Sequence, residues 1–214
     1  MSIEYQPDDL IAELRRDGQR MVNAYFRPNG NVDLLIDTSV EGNTFRGFPR
    51  QQPARVFREW ADSRYTLARI ADLGEIRLQE SMDDLIRRRS ADLTDYWRAQ
   101  TRIELPFGPC RKLVNLLHKS LLRADVIDDP DRKRVIPLLH VPHDSFCLAA
   151  VRQAAASGRF GVTMTIPRNA TMGFITSEGQ YEEFQQLLRA VAREAEVPPI
   201  AIDLFAWDRN HGRL

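Results

Sequence analysis

The sequence predicts a mainly α-helical protein that forms a single unit with two lobes. Over most of its 214 residues, apolar side chains recur at intervals of three and four, the spacing that places them on one side of a helix. Clusters of Gly and Pro separate these stretches. A hydrophobic content of 43% and a charged content of 28% are ordinary for a globular protein. We therefore expect residues 1–214 to pack around a substantial helical core.

In the N-terminal half, the spacing predicts three helices and one strand. Residues 8–27 predict a helix that is interrupted near Gly18. Residues 32–36 alternate between apolar and polar side chains, which predicts a short strand followed by a glycine-punctuated loop. Helical spacing returns over 53–73 and again over 82–100, where Ser81 is a candidate N-cap.

The C-terminal half is also predicted to be helical. Residues 105–109 form a tight turn, and 111–124 carry leucines at intervals of four. Asp144 and Ser177 are typical N-cap residues, so a helix is expected after each of them. Residues 157–175 are punctuated by Gly and Pro and predict a short strand or an extended loop.

The charge composition excludes several classes of protein. The chain has 30 basic and 30 acidic side chains, a net charge of +0 and a pI near 6.9. This balance excludes a polybasic nucleic-acid tail and a disordered acidic segment. Three of the basic residues are lysines, Lys112, Lys119 and Lys133. The simpler interpretation of the arginine excess is a coding bias of the source genome. Because arginine cannot act as an amine nucleophile, a lysine in so arginine-rich a chain is nevertheless a notable choice.

Compartment and metal content follow from what the sequence lacks. No segment approaches the roughly 20 apolar residues of a membrane span, and the N-terminus lacks the apolar core of a signal peptide. Cys110 and Cys147 have no zinc-ligand spacing, and the four histidines fit no ligand motif. We expect a cytoplasmic monomer with reduced thiols, no bound metal and no membrane partner.

The segment FGPCRK at 107–112 is the first candidate site. A tight turn that enters a helix leaves backbone N–H groups unpaired at the positive end of the helix dipole, where they can bind phosphate. A turn that binds nothing fits the same residues equally well.

Lys112 and Asp144 form the second candidate site. Lys112 is expected in the first turn of its helix, where the dipole favours the uncharged amine that can attack carbon. Asp144 follows VPH at a helix start, where backbone N–H groups favour the carboxylate. Such a pair suits attack on an electrophilic carbon. On spacing alone, a helix cap and a solvated charge are the simpler interpretation.

Asp203 and Trp207 form the third candidate site. Four residues apart on a helix, they share one face, and a carboxylate beside an indole can bind a flat heterocycle by hydrogen bonding and stacking. The alternative interpretation is a core Trp beside a surface Asp.

The glycine-containing turn, the Lys of FGPCRK and the Asp of VPHD together resemble the helix-hairpin-helix DNA glycosylases. The interval of 32 residues between Lys112 and Asp144 looks most like the archaeal GO (8-oxoguanine) glycosylases, which also carry a late Asp and Trp in DxxxW spacing. The resemblance covers mainly residues 105–207. Two features depart from it, since PFGPC has fewer glycines than the family hairpin and Leu116 replaces an aromatic residue of the archaeal branch.

The resemblance implies two helical lobes around a cleft and a DNA N-glycosylase, with or without AP lyase activity, that needs no cofactor. It assigns Lys112 as the Schiff-base nucleophile and Asp144 as its assistant. The target would be oxidised guanine or a modified phage base, in DNA repair or antiviral defence. The residues expected at the flipped-out base are Asp203, Trp207 and Leu116, with Trp60 or Trp97 as a second stacking surface. The residues expected at DNA phosphates are Gly108, Cys110, Arg111 and Lys119.

Two other functions are compatible with the sequence. A non-catalytic helical DNA-binding module would use the same hairpin without a base pocket. An enzyme that does not act on nucleic acid, or an interaction protein, would fit the neutral overall charge. Because phosphate contacts release counterions, binding to DNA that barely weakens as salt rises would favour the second alternative.

Overall fold

The computed structural model describes residues 3–40, 42–48 and 52–211, and about 70% of these residues are helical. No strand occurs among them, which confirms the prediction of a mainly helical fold. In chain order the α-helices are α1 (Pro7–Tyr25), α2 (Val32–Thr38), α3 (Pro53–Arg64), α4 (Leu67–Gly74), α5 (Gln79–Thr101), α6 (Phe107–Leu121), α7 (Asp129–Val135), α8 (Ser145–Ala156), α9 (Glu178–Glu194) and α10 (Ile200–His211). Short 3₁₀ helices occur at Gly42–Gly47, Ile136–Leu138 and Met172–Phe174.

The chain divides into two compact units. The first holds the described residues up to Tyr25, Phe107–Lys112 and those from His140 onward. The second holds Phe26–Pro106 and Leu113–Leu139. Helix α6 therefore contributes its first six residues to one unit and the remainder to the other.

The first unit is built on the packing of α1 against α8 and α10. Contrary to prediction, Gly18 does not interrupt α1, which runs without a break. A Cβ atom at Gly18 would lie 3.1 Å from Val197 Cγ1 and 3.4 Å from Ala201 Cβ. The glycine is therefore a contact residue that allows close approach of α1 to the start of α10.

An extended segment between α8 and α9 completes the first unit. Val162, Met164 and Ile166 are buried and alternate with exposed residues, but no partner strand is present among the described residues. Instead, the Arg152 guanidinium donates hydrogen bonds to the carbonyl groups of Ile166, Pro167 and Arg168. The sequence allowed either a strand or an extended loop here, and the structure has the loop.

In the second unit, the predicted strand at 32–36 is wrong, because these residues form α2. The Asn31 side chain caps this helix by accepting a hydrogen bond from the Leu34 N–H. Buried residues Val32, Leu35 and Ile36 follow helical spacing, whereas Leu34 is 51% exposed. The apparent alternation depended on counting this exposed leucine as a core residue.

The rest of the second unit buries two tryptophans. The predicted helix over 53–73 is divided at residues 65 and 66 into α3 and α4. Trp60 is fully buried and donates its indole N–H to Asp92, while Trp97 is buried against Phe48. Both tryptophans are core residues of this unit, so neither offers a base the open stacking surface suggested by the sequence.

Candidate functional site

Lys112 lies on α6, which begins earlier than predicted. The helix starts at Phe107 because Pro109 falls in its first turn, where a helix tolerates proline since that N–H needs no partner. Lys112 is therefore the sixth residue of the helix and lies in its second turn. Because the dipole effect falls off within the first turn, the dipole argument for Lys112 does not hold.

The first turn of α6 packs directly against backbone carbonyl groups. A Cβ atom at Gly108 would lie 2.1 Å from the carbonyl oxygen of Met172 and 2.6 Å from that of Ile175. Gly108 and Cys110 are both buried. The glycine is thus required by a close contact within the first unit, and phosphate binding by Gly108 and Cys110 stays a prediction.

Arg111 is buried in an internal contact. Its guanidinium pairs with the carboxylate of Glu178 in the first turn of α9. It also lies 5.1 Å from the ring centroid of Phe107 and 5.2 Å from that of Tyr181. These cation–π contacts and the ion pair connect the starts of α6 and α9. Contact between Arg111 and a DNA phosphate stays a prediction.

Asp144 divides its two carboxylate oxygens between a helix cap and Lys112. The predicted caps Asp144 for α8 and Ser177 for α9 are confirmed, whereas Ser81 is not a cap, because it lies inside α5. Oδ1 of Asp144 accepts hydrogen bonds of 2.9 Å from the N–H groups of Phe146 and Cys147. Oδ2 lies 3.8 Å from Nζ of Lys112. Two residues predicted from distant parts of the sequence therefore lie side by side.

The Lys112–Asp144 pair is largely shielded from solvent. The side chain of Lys112 is 11% exposed and that of Asp144 is 18% exposed. At 3.8 Å the two groups attract each other electrostatically but are beyond ordinary hydrogen-bond distance. The arrangement holds an amine and an oriented carboxylate close together without joining them tightly.

His143 precedes Asp144 and is fully buried. Burial, and then the positive charge of Lys112, lower the pKa of His143 to about 3, although backbone groups of Gly108 and Met172 favour the charged form. Neither ring nitrogen makes a hydrogen bond of normal geometry among the described residues. The imidazole is therefore neutral at physiological pH and adds no second cation beside Lys112.

Asp203 and Trp207 both lie on α10, where Asp203 is buried and Trp207 is half-buried. The Trp207 indole stacks on the His211 imidazole, with 4.3 Å between ring centroids and 23° between ring planes. His211 in turn contacts the ring of Phe146 edge-on, with centroids 5.0 Å apart. Phe146 also donates its backbone N–H to Asp144. A chain of direct contacts thus connects Trp207 to the carboxylate beside Lys112.

The remaining predicted site residues, Leu116 and Lys119, lie on the part of α6 that belongs to the second unit. Both are half-buried. Their predicted contacts with a base and a phosphate stay predictions. An open cavity of about 570 Å³ also lies in the second unit, and the residues that line it, including Phe45, Arg55 and Asp62, contain none of the predicted site residues.

The residues around the pair that sequence reasoning missed are His143, Phe146 and Glu178. His143 and Phe146 flank Asp144 directly, and the signal that could have identified them was adjacency to a helix cap. Within the ranges that the structure describes, no group of three or more His, Cys, Asp or Glu is arranged to hold a metal ion. Over the same ranges, no helix combines the length and apolarity needed to cross a membrane. Comparison with protein-family models, curated proteins and solved structures gives no significant match.

Proposed function

We propose that this protein is a DNA glycosylase with AP lyase activity, in which Lys112 is the nucleophile and Asp144 assists it. The observation that carries the proposal is the 3.8 Å separation between Lys112 Nζ and Asp144 Oδ2 in a largely buried setting. Glycosidic bond cleavage by an amine needs a nucleophile close to a carboxylate, because positive charge develops on the sugar as the base leaves. The pair supplies both groups at one place.

The first chemical step is displacement of the base. Lys112 gives up its ammonium proton and its amine attacks the sugar C1′ carbon. The bond from C1′ to the base nitrogen breaks with its electron pair leaving on the base, which takes up that proton. Oδ2 of Asp144 stabilises the positive charge on the sugar and accepts the proton released by the amine. Oδ1 remains bonded to two N–H groups at the start of α8, which keeps the carboxylate oriented.

The second step accounts for strand cleavage. The aminosugar ring opens as the C1′–O4′ bond breaks, with the electron pair leaving on O4′, which takes up a proton, and the nitrogen lone pair forms an iminium in which C1′ and Nζ share a double bond. Loss of the C2′ proton then allows the C3′–O bond to break, and the 3′ phosphate departs with the electron pair. This β-elimination makes the protein a lyase as well as a glycosylase.

The proposed substrate is a damaged or modified base that has rotated out of the DNA stack, either oxidised guanine or a modified phage base. Trp207 would stack on its ring, and Asp203 would accept hydrogen bonds from its ring N–H groups. The contact chain from Trp207 through His211 and Phe146 to Asp144 supports this assignment, because it connects an indole to the carboxylate within one unit.

Borohydride trapping tests the proposal directly, because reduction of the iminium joins the protein covalently to DNA. We expect the wild-type protein to be trapped on duplex DNA that contains 8-oxoguanine or another candidate base. Lys112→Gln removes the amine and should abolish trapping, with base release falling at least about a thousand-fold. Lys133→Gln is the matched control, since Lys133 is exposed and belongs to the second unit.

The outcomes separate the proposal from its alternatives. Equal trapping of the wild type and Lys112→Gln would remove Lys112 as the nucleophile. Salt-sensitive DNA binding without base release from any candidate substrate would indicate a non-catalytic DNA-binding module. Absence of salt-sensitive DNA binding would favour an enzyme that does not act on nucleic acid.

A further inference from the structure

Three aromatic rings in the first unit form an arrangement that the proposed chemistry does not require. His211 lies parallel to the Trp207 indole and edge-on to Phe146, with an angle of 85° between the Phe146 and His211 ring planes. A stacked contact and a perpendicular contact are the two favourable geometries for aromatic rings. The imidazole thus makes favourable contacts with both Phe146 and Trp207, and we call its position against these two rings the seat.

The occupant of this seat is held by local contacts. His211 is exposed, and the described hydrogen bond of its ring joins Nδ1 to the carbonyl oxygen of Trp207 one helical turn earlier. By contrast, Phe146 and Trp207 are half-buried and lie on α8 and α10, which pack against each other. The two rings that contact the imidazole therefore lie on helices that pack together, whereas the imidazole itself is exposed.

We propose that Phe146 and Trp207 form the binding seat for the flat ring of the excised base, and that His211 occupies this seat until a base displaces it. Imidazole is a planar nitrogen heterocycle, as is the five-membered ring of a purine, so a purine can make the same stacked and edge-on contacts over a larger area. The inference rests on the proposed function for the identity of the ligand. It goes beyond that function by assigning Phe146 to specificity and His211 to competition with the base.

The seat lies next to the chemistry. The Phe146 N–H donates to Oδ1 of Asp144, whose Oδ2 faces Lys112. A ring bound against Phe146 therefore lies at the start of α8, the same helix start that orients the Asp144 carboxylate. Displacement of His211 by the base would couple recognition of a flat ring to placement of its sugar beside the nucleophile.

Equilibrium dialysis of 8-oxo-2′-deoxyguanosine against the full-length protein tests the seat without requiring catalysis. His211→Ala removes the competitor, so the dissociation constant should fall about two- to ten-fold, the range of a single aromatic contact. Phe146→Leu should raise it by a similar factor, and Trp207→Leu should raise it at least about ten-fold. Phe160→Leu is the matched control, because Phe160 is also half-buried in the first unit but contacts Arg159.

An unchanged or larger dissociation constant for His211→Ala would overturn the proposal, because the imidazole would then not compete with the ring. Should Phe146→Leu fail to fold, as judged by circular dichroism, the comparison of His211→Ala with Phe160→Leu decides the question alone. Failure of the glycosylase proposal gives a different pattern: nucleoside binding responds to His211→Ala, but borohydride trapping fails. Trapping that depends on Lys112, together with unaltered binding by His211→Ala, would refute the seat and leave the glycosylase.

Discussion

The two units each contain an ion pair between a basic residue and an Asp, and the two pairs differ in how fully they are bonded. In the second unit, Asp92 accepts hydrogen bonds from Arg64 Nε at 2.7 Å, from Arg64 Nη2 at 3.1 Å and from the Trp60 indole at 2.9 Å. In the first unit, Asp144 Oδ2 and Lys112 Nζ are 3.8 Å apart. The Arg64–Asp92 pair is a fully hydrogen-bonded structural contact. The charged groups of Lys112 and Asp144 lie close together but beyond hydrogen-bond distance.

This difference separates a stabilising pair from a candidate reactive pair. A carboxylate that receives three hydrogen bonds has little capacity left for chemistry, whereas Asp144 uses one oxygen for a cap and presents the other to an amine. The arginine of the structural pair is also about one-third exposed, but Lys112 is largely buried. Charged groups that are buried from solvent without a full set of hydrogen bonds are typical of functional sites. Such groups pay the cost of burial without the hydrogen bonds that would offset it.

The largest effect is expected at Asp144, where capping and chemistry can be separated. Asp144→Asn keeps a side-chain oxygen that can accept the two α8 N–H groups, so stability should change little. It loses the negative charge beside Lys112, so base release should slow by about a hundred-fold or more while DNA binding is retained. Single-turnover kinetics and DNA binding measure the two effects.

Asp144→Ala is the companion variant, because it removes the cap as well as the charge. Its free energy of unfolding should fall by about 1 kcal/mol relative to Asp144→Asn. Unchanged turnover in both variants would reduce Asp144 to a helix cap and make the two ion pairs equivalent.

The next effect is expected at Gly108, which holds the start of α6 against the carbonyls of Met172 and Ile175. Gly108→Ala places a methyl group where backbone oxygen atoms already lie, so the free energy of unfolding should fall by about 3 kcal/mol. Gly179→Ala is the matched control, because Gly179 is exposed near the start of α9 and a Cβ there meets nothing within 4 Å. That control should stabilise the protein by about 0.5 kcal/mol. Equal urea midpoints for the two variants would show that the contact does not constrain α6.

A smaller, pH-dependent effect is expected at His143. Its folded-state pKa, about 3, lies below the unfolded value near 6.5, so the unfolded chain binds more protons between these limits. His143 therefore lowers stability as pH falls through the unfolded pKa, and between pH 7 and pH 5 its contribution should fall by about 2 kcal/mol.

His143→Leu isolates this contribution from that of the carboxylates. Urea unfolding at pH 7 and pH 5 should show a loss of stability that is about 2 kcal/mol smaller in the variant than in the wild type. An identical loss in both proteins would mean that His143 becomes protonated in the folded state, which would place a second cation beside Lys112.

The site was predictable from the sequence to the extent that its signals were local. Asp144 and Ser177 were recognised because an N-cap depends on a side chain and the next three residues. The strand predicted at 32–36 was wrong because these residues fit both an alternating and a helical pattern of apolar side chains. The structure buries Leu35 and exposes Leu34, which is the helical pattern. The spacing of apolar residues alone does not show which of the two leucines is buried.

Long-range contacts set the other limit. The sequence predicted a helix break at Gly18 and a hairpin at Gly108. In the structure, Gly18 is a close contact with Val197 and Gly108 is a close contact with Met172, both far along the chain. The proximity of Lys112 to Asp144 was expected only through resemblance to a family, because nothing in a 32-residue interval fixes a distance. The stacking of His211 on Trp207 is by contrast a local contact, which their spacing of four residues permits but does not require.

The smallest effect is expected at Asp92, where loss of the charge tests whether the Arg64–Asp92 pair is purely structural. Burial opposes ionisation, but hydrogen bonds from Arg64 and Trp60 lower the pKa of Asp92, so its contribution to stability is present at neutral pH and lost as pH falls through that lowered pKa. Asp92→Asn keeps an acceptor for Trp60 and loses the charge, and because the pair is one-third exposed, the cost should be about 0.5–1 kcal/mol. Borohydride trapping should be unchanged. If Asp92→Asn impaired trapping as strongly as Asp144→Asn, loss of stability rather than loss of a positioned carboxylate would explain both, and the distinction between a structural and a reactive pair would not stand.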